Sequence, residues 1–345
     1  MLERQFRKAG GERSLYRACL LQGLRARHPL TANPWPEDHV IDLVLKAAQD
    51  PTSMANTPDL VTVMYEFLTS LQPMSAAAAL FAASINLSFG SAGGIALPAI
   101  ADTPQAVWVR EGAPIPVAIG LSSLIALTPF KMGTILALSN EMMRSSSAEA
   151  AMRAMILSNM GPALDLALFS NAAGVPGLNP PGLLNGVPAL TASTATGMSE
   201  AMIEDMQILV KALAPYGGNG GIAFVASADC WVRMTKTAVG EKGIPVFVAS
   251  NLITPTLIAV AAQALVVAMD PPTIEVGNQA VFHLEDDPTL VRPIVDDAGV
   301  LAAPVRSMWQ TDSVGLKFRL PVSWALRAPA VAWLVPIWGA PTPGP

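Results

Sequence analysis

Chemically reactive side chains are scarce in this chain. Its 345 residues include three histidines and two cysteines, and only 14% are charged, against about 25% in an ordinary soluble protein. Cys19 and Cys230 are far apart in sequence, so no disulfide framework is expected, and Cys230 reads as a small buried hydrophobe. The sequence has no G-x-S-x-G elbow, no G-x-x-x-x-G-K-S/T phosphate loop and no H-E-x-x-H helix, which removes the usual signatures of serine hydrolases, P-loop enzymes and zinc peptidases. His283, in VFHLEDD with Glu285, Asp286 and Asp287, belongs to the best group of possible metal ligands. Its spacing makes no calcium loop, so a turn between strands is the better reading. The glycines of YGGNGG at 216–221 lack an adjacent Lys-Ser/Thr and precede a strand, the pattern of a loop more than of a phosphate nest. No catalytic residue, metal or cofactor is expected.

A membrane-spanning run is also missing. Leu252–Met269 is uncharged and nearly 20 residues long, the length of a membrane helix. Pro255 and Gln263 interrupt it, however, and Asp270-Pro271-Pro272 stops it. Its β-branched residues suggest two short strands around an Ala262-Gln263 turn. The N-terminus has no long apolar segment after its basic residues, so neither a secretory signal nor a membrane partner is expected, and the default origin is cytoplasmic. Mean hydropathy is nevertheless high, at +0.43. Apolar surface facing other subunits explains this best, because interface cores are depleted of charge.

Charge is unevenly placed. Residues 1–28 carry seven Lys or Arg against two Glu, whereas the remainder carries fourteen against twenty-four. A basic segment on an acidic body suits contact with nucleic acid, an acidic protein surface or the body of the assembly itself. All three readings stay open at this point.

Length alone allows about two domains. Residues 1–27 read as helical around Gly10-Gly11, and Pro29, Pro34 and Pro36 mark an extended connector. Val40–Gln49 and Pro58–Leu71 are expected to be helices. From 82 to 130, glycine and proline punctuate short β-prone pieces, notably Ala106–Arg110 and Leu121–Thr128. That composition suits a long two-stranded excursion, which gains stability only by lying on another surface. Lys131–Leu138 should return as a strand. Ser146 and Glu149 form a capping-box pattern ahead of a helix whose stripe is Met152, Met155, Ile156, Met160, Leu164 and Leu168, and Gly161-Pro162 should kink or divide it. Gly174–Gly197 reads as an exposed loop or ribbon. Ser199 should cap a helix with Met202, Met206, Leu209, Val210 and Leu213 inward. Ile222–Ala226 should be a central strand, followed by a helix from Asp229, with strands at Pro245–Ala249, Leu257–Val260 and Leu265–Ala268. The range 199–310 thus reads as an α+β unit. Ser313–Leu320 and Trp324–Arg327 are expected to be paired strands bent at Gly315 or Pro321. Trp309, Trp324, Trp333 and Trp338 suit packing within the chain or anchoring between subunits.

Three segments carry a resemblance: AVWVREGAPIPV at 106–117, KMGTILALSNEMMRSS at 131–146, and MWQTDSVGLKFRLPVSWALRAPAVAWL at 308–334, with GIPVFVAS at 243–250 between the last two. In this order they resemble the major capsid proteins of tailed bacteriophages with the HK97-type fold, over roughly 35–335. The resemblance implies an α+β HK97-like chain with a basic N-terminal segment and arm at 1–75, an extended E-loop region at 76–130, a P domain at 131–198, an A domain at 199–310, and returning strands and tail at 311–345. It carries Trp108, Arg110 and Glu111 to the E-loop, with Lys131 beyond its tip, and Ser139, Asn140, Glu141 and Arg144 to the junction with the P-domain helix. These are structural assignments. It further implies a homo-oligomer of pentamers and hexamers forming an icosahedral virion shell assembled in the host cytoplasm. Portal and scaffolding proteins are the implied partners, with double-stranded DNA packaged without sequence specificity. An encapsulin-like shell around protein cargo is the alternative. Some relatives crosslink through a lysine, but residues 82–130 contain none, so no such crosslink is expected from this loop.

Overall fold

The computed structural model describes residues 11–27, 31–49, 58–90, 93–99, 108–111, 124–145, 147–218, 221–236, 245–252, 255–277, 281–283 and 305–338. In chain order the helices are α1 (Gly11–Arg27), α2 (His39–Gln49), α3 (Pro58–Leu71), α4 (Ala76–Ala82), α5 (Asn140–Arg144), α6 (Ala148–Leu168), α7 (Met198–Leu213) and α8 (Ala228–Lys236). The strands are β1 (Ile85–Leu87), β2 (Ile95–Pro98), β3 (Leu124–Leu127), β4 (Phe130–Ser139), β5 (Ile222–Ser227), β6 (Val246–Ala249), β7 (Leu257–Ala261), β8 (Leu265–Met269), β9 (Thr273–Gly277), β10 (Val281–His283), β11 (Val305–Ser307), β12 (Ser313–Leu326) and β13 (Val331–Leu334). Packing divides the chain into two units of interleaved spans, one of 1–67, 132–159 and 271–320, the other of 68–131, 160–270 and 321–345. The ranges read from the sequence were contiguous; these are not.

In the first unit, α1 packs on α2, and both pack on β9. Leu15, Tyr16, Cys19 and Leu21 of α1 are buried. Strand β12 pairs antiparallel with β9 through residues 315–319 and has β4 on its other side. Alternation sends Val314, Leu316, Phe318 and Leu320 inward, as a half-buried strand requires. The Phe318 ring stands 5.3 Å from that of Phe67. The N-terminal segment is thus tied into the body from residue 11. Arg17 pairs with Asp38 at 3.4 Å and Glu149 at 3.5 Å, and its guanidinium lies 5.2 Å from the centre of the Trp35 ring.

The second unit contains the sheet β13-β7-β5-β6. Strand β5 is central, parallel to β6 and antiparallel to β7. Helix α7 buries Met202, Met206, Leu209 and Leu213 in a core with Phe224, Cys230 and Trp338, whereas Val210 is exposed. Within the uncharged run 252–269, residues 257–269 form two fully buried strands, β7 and β8, joined by a one-turn 3₁₀ segment at Ala262–Ala264. Strand β8 pairs parallel with β1 and antiparallel with residues 322–326 of β12.

Several local expectations change. Helix α6 runs unbroken through Pro162. Its stripe is buried on both sides of the proline, the Asn251 amide donates to the Pro162 carbonyl at 2.5 Å, and Gly161 lies where a Cβ would sit 2.8 Å from the Met74 carbonyl. Tertiary anchoring outweighs the local penalty. The two expected late strands are one strand, β12, and Pro321 stands where its partner changes from β9 to β8, its carbonyl accepting from Asp270 N at 3.2 Å. Gly197 caps α7 in place of Ser199, its carbonyl accepting from Ala201 N at 2.8 Å. The stretch 174–197 is the irregular, largely exposed segment expected, although Leu183 and Leu184 are buried and the indoles of Trp324 and Trp333 donate to the carbonyls of Pro181 and Val187. Residues 108–110 form no strand, and Ser146 lies outside the described residues.

Candidate functional site

The excursion is anchored at its base. Strands β2 and β3 pair antiparallel, Ile95 opposite Leu127 and Pro98 opposite Leu124. Leu127 is buried in a cluster with Phe89, Val266 and Ala268, and Leu124 is exposed. The Asp270 carboxylate accepts from Ser88 Oγ at 2.8 Å, Phe89 N at 2.9 Å and Gly90 N at 3.2 Å. This binds the turn where the excursion begins, and Gly90 takes the left-handed φ of 58° that the turn requires. Arg327 Nε donates to the Pro98 carbonyl at 3.3 Å. One acid and one arginine therefore hold the outgoing strand.

Residues 108–111 belong to the connection between β2 and β3. Trp108 is fully exposed, and Arg110 and Glu111 are exposed beside it. A bare indole forfeits the large burial that makes tryptophan an anchor. Lys131 is exposed near the start of β4. The other four residues gather in the first unit, where β4 ends and α5 begins. Ser139 Oγ caps α5 by accepting from Met142 N at 3.2 Å. Asn140 donates to Asp312 twice, from its amide side chain to Oδ1 at 2.8 Å and from its backbone N to the carbonyl at 3.1 Å. Asp312 itself has a φ of 48°. Glu141 and Arg144 lie on the exposed side of α5. The serine-to-arginine segment is therefore a strand-to-helix corner, pinned to the turn before β12.

Sequence reasoning missed two further carboxylates that act as ties. Asp165 is buried in α6 and accepts from Ser75 Oγ at 2.6 Å, Ala77 N at 2.8 Å and Ala76 N at 3.1 Å. It thereby holds the N-terminus of α4, where Ser75 also caps Ala78 N at 3.1 Å. Burial raises the Asp165 carboxyl above its usual range, against the lowering effect of these three donors. Asp205 is fully buried in α7 and accepts from Ser193 N and from Trp338 Nε1, both at 2.6 Å. Arg233 donates to the Trp338 carbonyl and pairs with Asp229 at 3.1 Å, so the chain at 338 is gripped at both ends of one residue. The available signal was an Asp on each helix's apolar stripe, Asp165 one residue after Leu164 and Asp205 three after Met202.

Reactive chemistry does not gather here. Burial pushes the Cys19 thiol up to about 12 and likewise raises Cys230, so neither is poised as a thiolate. Among the described residues no group of three His, Cys, Asp or Glu is placed to hold a metal, and no helix is long and apolar enough to cross a membrane. Glu285, Asp286 and Asp287 lie outside the described residues.

No family model and no curated protein matches the sequence. Solved structures do match. A chain from Mycobacterium phage Bobi is 15% identical, covers 76% of this chain and 90% of its own, and superposes with a TM-score of 0.52. One from Microbacterium phage Oxtober96 is 16% identical, with 75% and 90% covered and a TM-score of 0.50. The chain shares the fold of these two phage chains. That fold mixes helices with sheets, and the match covers 90% of each of those two chains. A third likeness, at a TM-score of 0.44 and 18% identity over 75% of this chain and 89% of the other, is to a structure titled as the capsid of an empty GTA particle computed with C5 symmetry.

Proposed function

We propose that this chain is a major capsid protein of the HK97 type, a structural subunit and not an enzyme. In this reading it self-assembles into pentamers and hexamers of an icosahedral virion shell around double-stranded DNA. One observation carries the reading: an excursion anchored at its base by Asp270 and Arg327 whose connection holds a bare tryptophan. A lone subunit gains nothing from such an element, whereas a shell uses it to overlap a neighbour. The fold shared with the two phage chains and the order of the three sequence segments support the same reading.

The E-loop is then the 76–130 region, with Trp108, Arg110 and Glu111 on it. The P domain is built around α6, and the A domain around α7 and the sheet centred on β5. Ser139, Asn140, Glu141 and Arg144 form the corner that leads from the returning strand toward α6. Recurring contacts between identical subunits close such a shell. Scaffolding and portal proteins and DNA bound without sequence specificity are the expected partners. Neighbours are fastened by overlap and packing, because the loop region has no lysine for a crosslink.

Electron microscopy of the purified chain tests the reading, and closed particles of uniform size are expected. Nuclease-resistant DNA inside particles recovered from the host supports the virion shell, and a defined protein cargo replaces it with an encapsulin-like compartment. A chain that stays monomeric at all concentrations and salt conditions would falsify both.

A further inference from the structure

The first unit carries a depression on the outer face of its sheet. Strand register sets Gly315 of β12 opposite Gly277 of β9, so one rung of the ladder has no side chains. Neither glycine is among those with a positive φ; what glycine supplies here is space. The result is a cavity of about 230 Å³ walled by Ile135, Val276 and Met308. Ile135 is 56% exposed, although it stands on a strand whose opposite face is buried. The next rung carries Lys317 opposite Glu275, paired at 3.2 Å, and Arg319 also contacts Glu275. The rim thus holds two cations and one anion, leaving a surplus positive charge beside an apolar hollow.

One exposed segment of this chain has the complementary character. Trp108 is a fully exposed aromatic with nothing among the described residues over it, and Glu111 follows three residues later. A cavity of roughly 150 Å³ is enough to admit benzene, so the hollow accommodates an indole. We propose that it receives Trp108 from a second copy of this chain, with Glu111 meeting the surplus charge of Lys317 and Arg319. The inference rests on the shell reading and deepens it by naming the acceptor. The indole supplies the anchoring burial, and the exposed rim charges fix register more than they add affinity. The rim's one anion, Glu275, is already paired with Lys317 and Arg319, so replacement of Arg110 by alanine should change little.

Two experiments on the full-length chain test the docking. The first introduces Val109→Cys with Ile135→Cys at the wall of the hollow, keeps Trp108 and both glycines, and oxidises assembled particles; Cys19 and Cys230 are buried and do not interfere. A ladder of linked subunits on non-reducing gels is expected. The second reverses charge. Glu111→Lys and Lys317→Glu should each lower particle yield roughly tenfold, because like charges are brought together, and the double variant should recover it. Circular dichroism of unassembled subunits separates this from misfolding. Particles without a ladder, or charge reversal of correctly folded subunits without rescue, overturn the docking and leave the shell reading intact. An unaltered chain that forms no particle overturns the shell reading, and the docking with it.

Discussion

Aspartate does unusual duty here at the scale of single residues. Asp165, Asp205 and Asp270 each accept backbone N–H or side-chain donors from chain that is remote in sequence or on another element. Buried carboxylates are costly unless such donors surround them. Replacing Asp165 by alanine leaves two helix N–H groups and the Ser75 hydroxyl without their acceptor. The expected loss is about 3 kcal/mol or more in urea unfolding. Asparagine keeps one acceptor oxygen and should lose roughly half as much. The pH dependence has a definite sign. Burial raises the folded-state carboxyl above its unfolded value, so the folded state holds the proton more tightly. That contribution is fully present below the unfolded value and is lost as pH rises through the folded one. The gap between the native protein and Asp165→Asn should therefore widen as pH falls into the carboxylate range; a gap that narrows contradicts the assignment.

Elements whose identity rests on local periodicity were legible in the sequence. The methionine stripe of α6, the central position of β5, and the split of the 252–269 run into β7 and β8 all follow from spacing and β-branching. Elements decided by what packs against them were not. Nothing local marks Pro162 as tolerable, since the reasons are Asn251, Asp165 and the close approach of Met74. Nothing local joins the two halves of β12 across Pro321 either, because the partners that make the join lie about 50 residues earlier. In the candidate site, the Ser139–Arg144 corner was named by the resemblance alone, its Ser139 cap appears only in the structure, and its tie to Asp312 spans 172 residues. Opposite outcomes are expected for neighbouring substitutions in α6. Pro162→Ala restores an N–H donor to the helix interior and should raise the melting temperature, by up to about 3 kcal/mol of stability. Gly161→Ala favours helix by about 1 kcal/mol in isolation, but its Cβ meets the Met74 carbonyl and the net effect should be destabilising. A rise in both would show that segment 72–77 does not press on α6.

For the whole molecule, the decisive property is that the loop and the fold are separable at a definable place. Removal of the entire excursion from residue 86 would cut away Phe89 and Leu127, which are core residues, and the turn that Asp270 holds. Replacing only 100–122 by a short Gly-Ser linker keeps β2, β3 and their anchors. The trimmed chain should fold with an unchanged circular dichroism spectrum and melting temperature but fail to form particles by electron microscopy. Normal particles from it would remove the excursion from the assembly mechanism. The N-terminal charge is likewise partitioned: Arg17 is spoken for by Asp38, Glu149 and Trp35. Sequence balance alone left contact with nucleic acid, with an acidic protein surface and with the body of the assembly open, because an ion pair across 132 positions leaves no local trace.

The tryptophans give the molecule a built-in optical division. Trp324, Trp333 and Trp338 each donate their indole N–H to a fixed acceptor within the second unit, while Trp108 and Trp309 face water. The same side chain thus exists in a shielded, short-wavelength population and a quencher-accessible, long-wavelength one. Unfolding acts on the first and the proposed docking between copies would act on the second, so the fluorescence of the unlabelled chain should resolve folding from association.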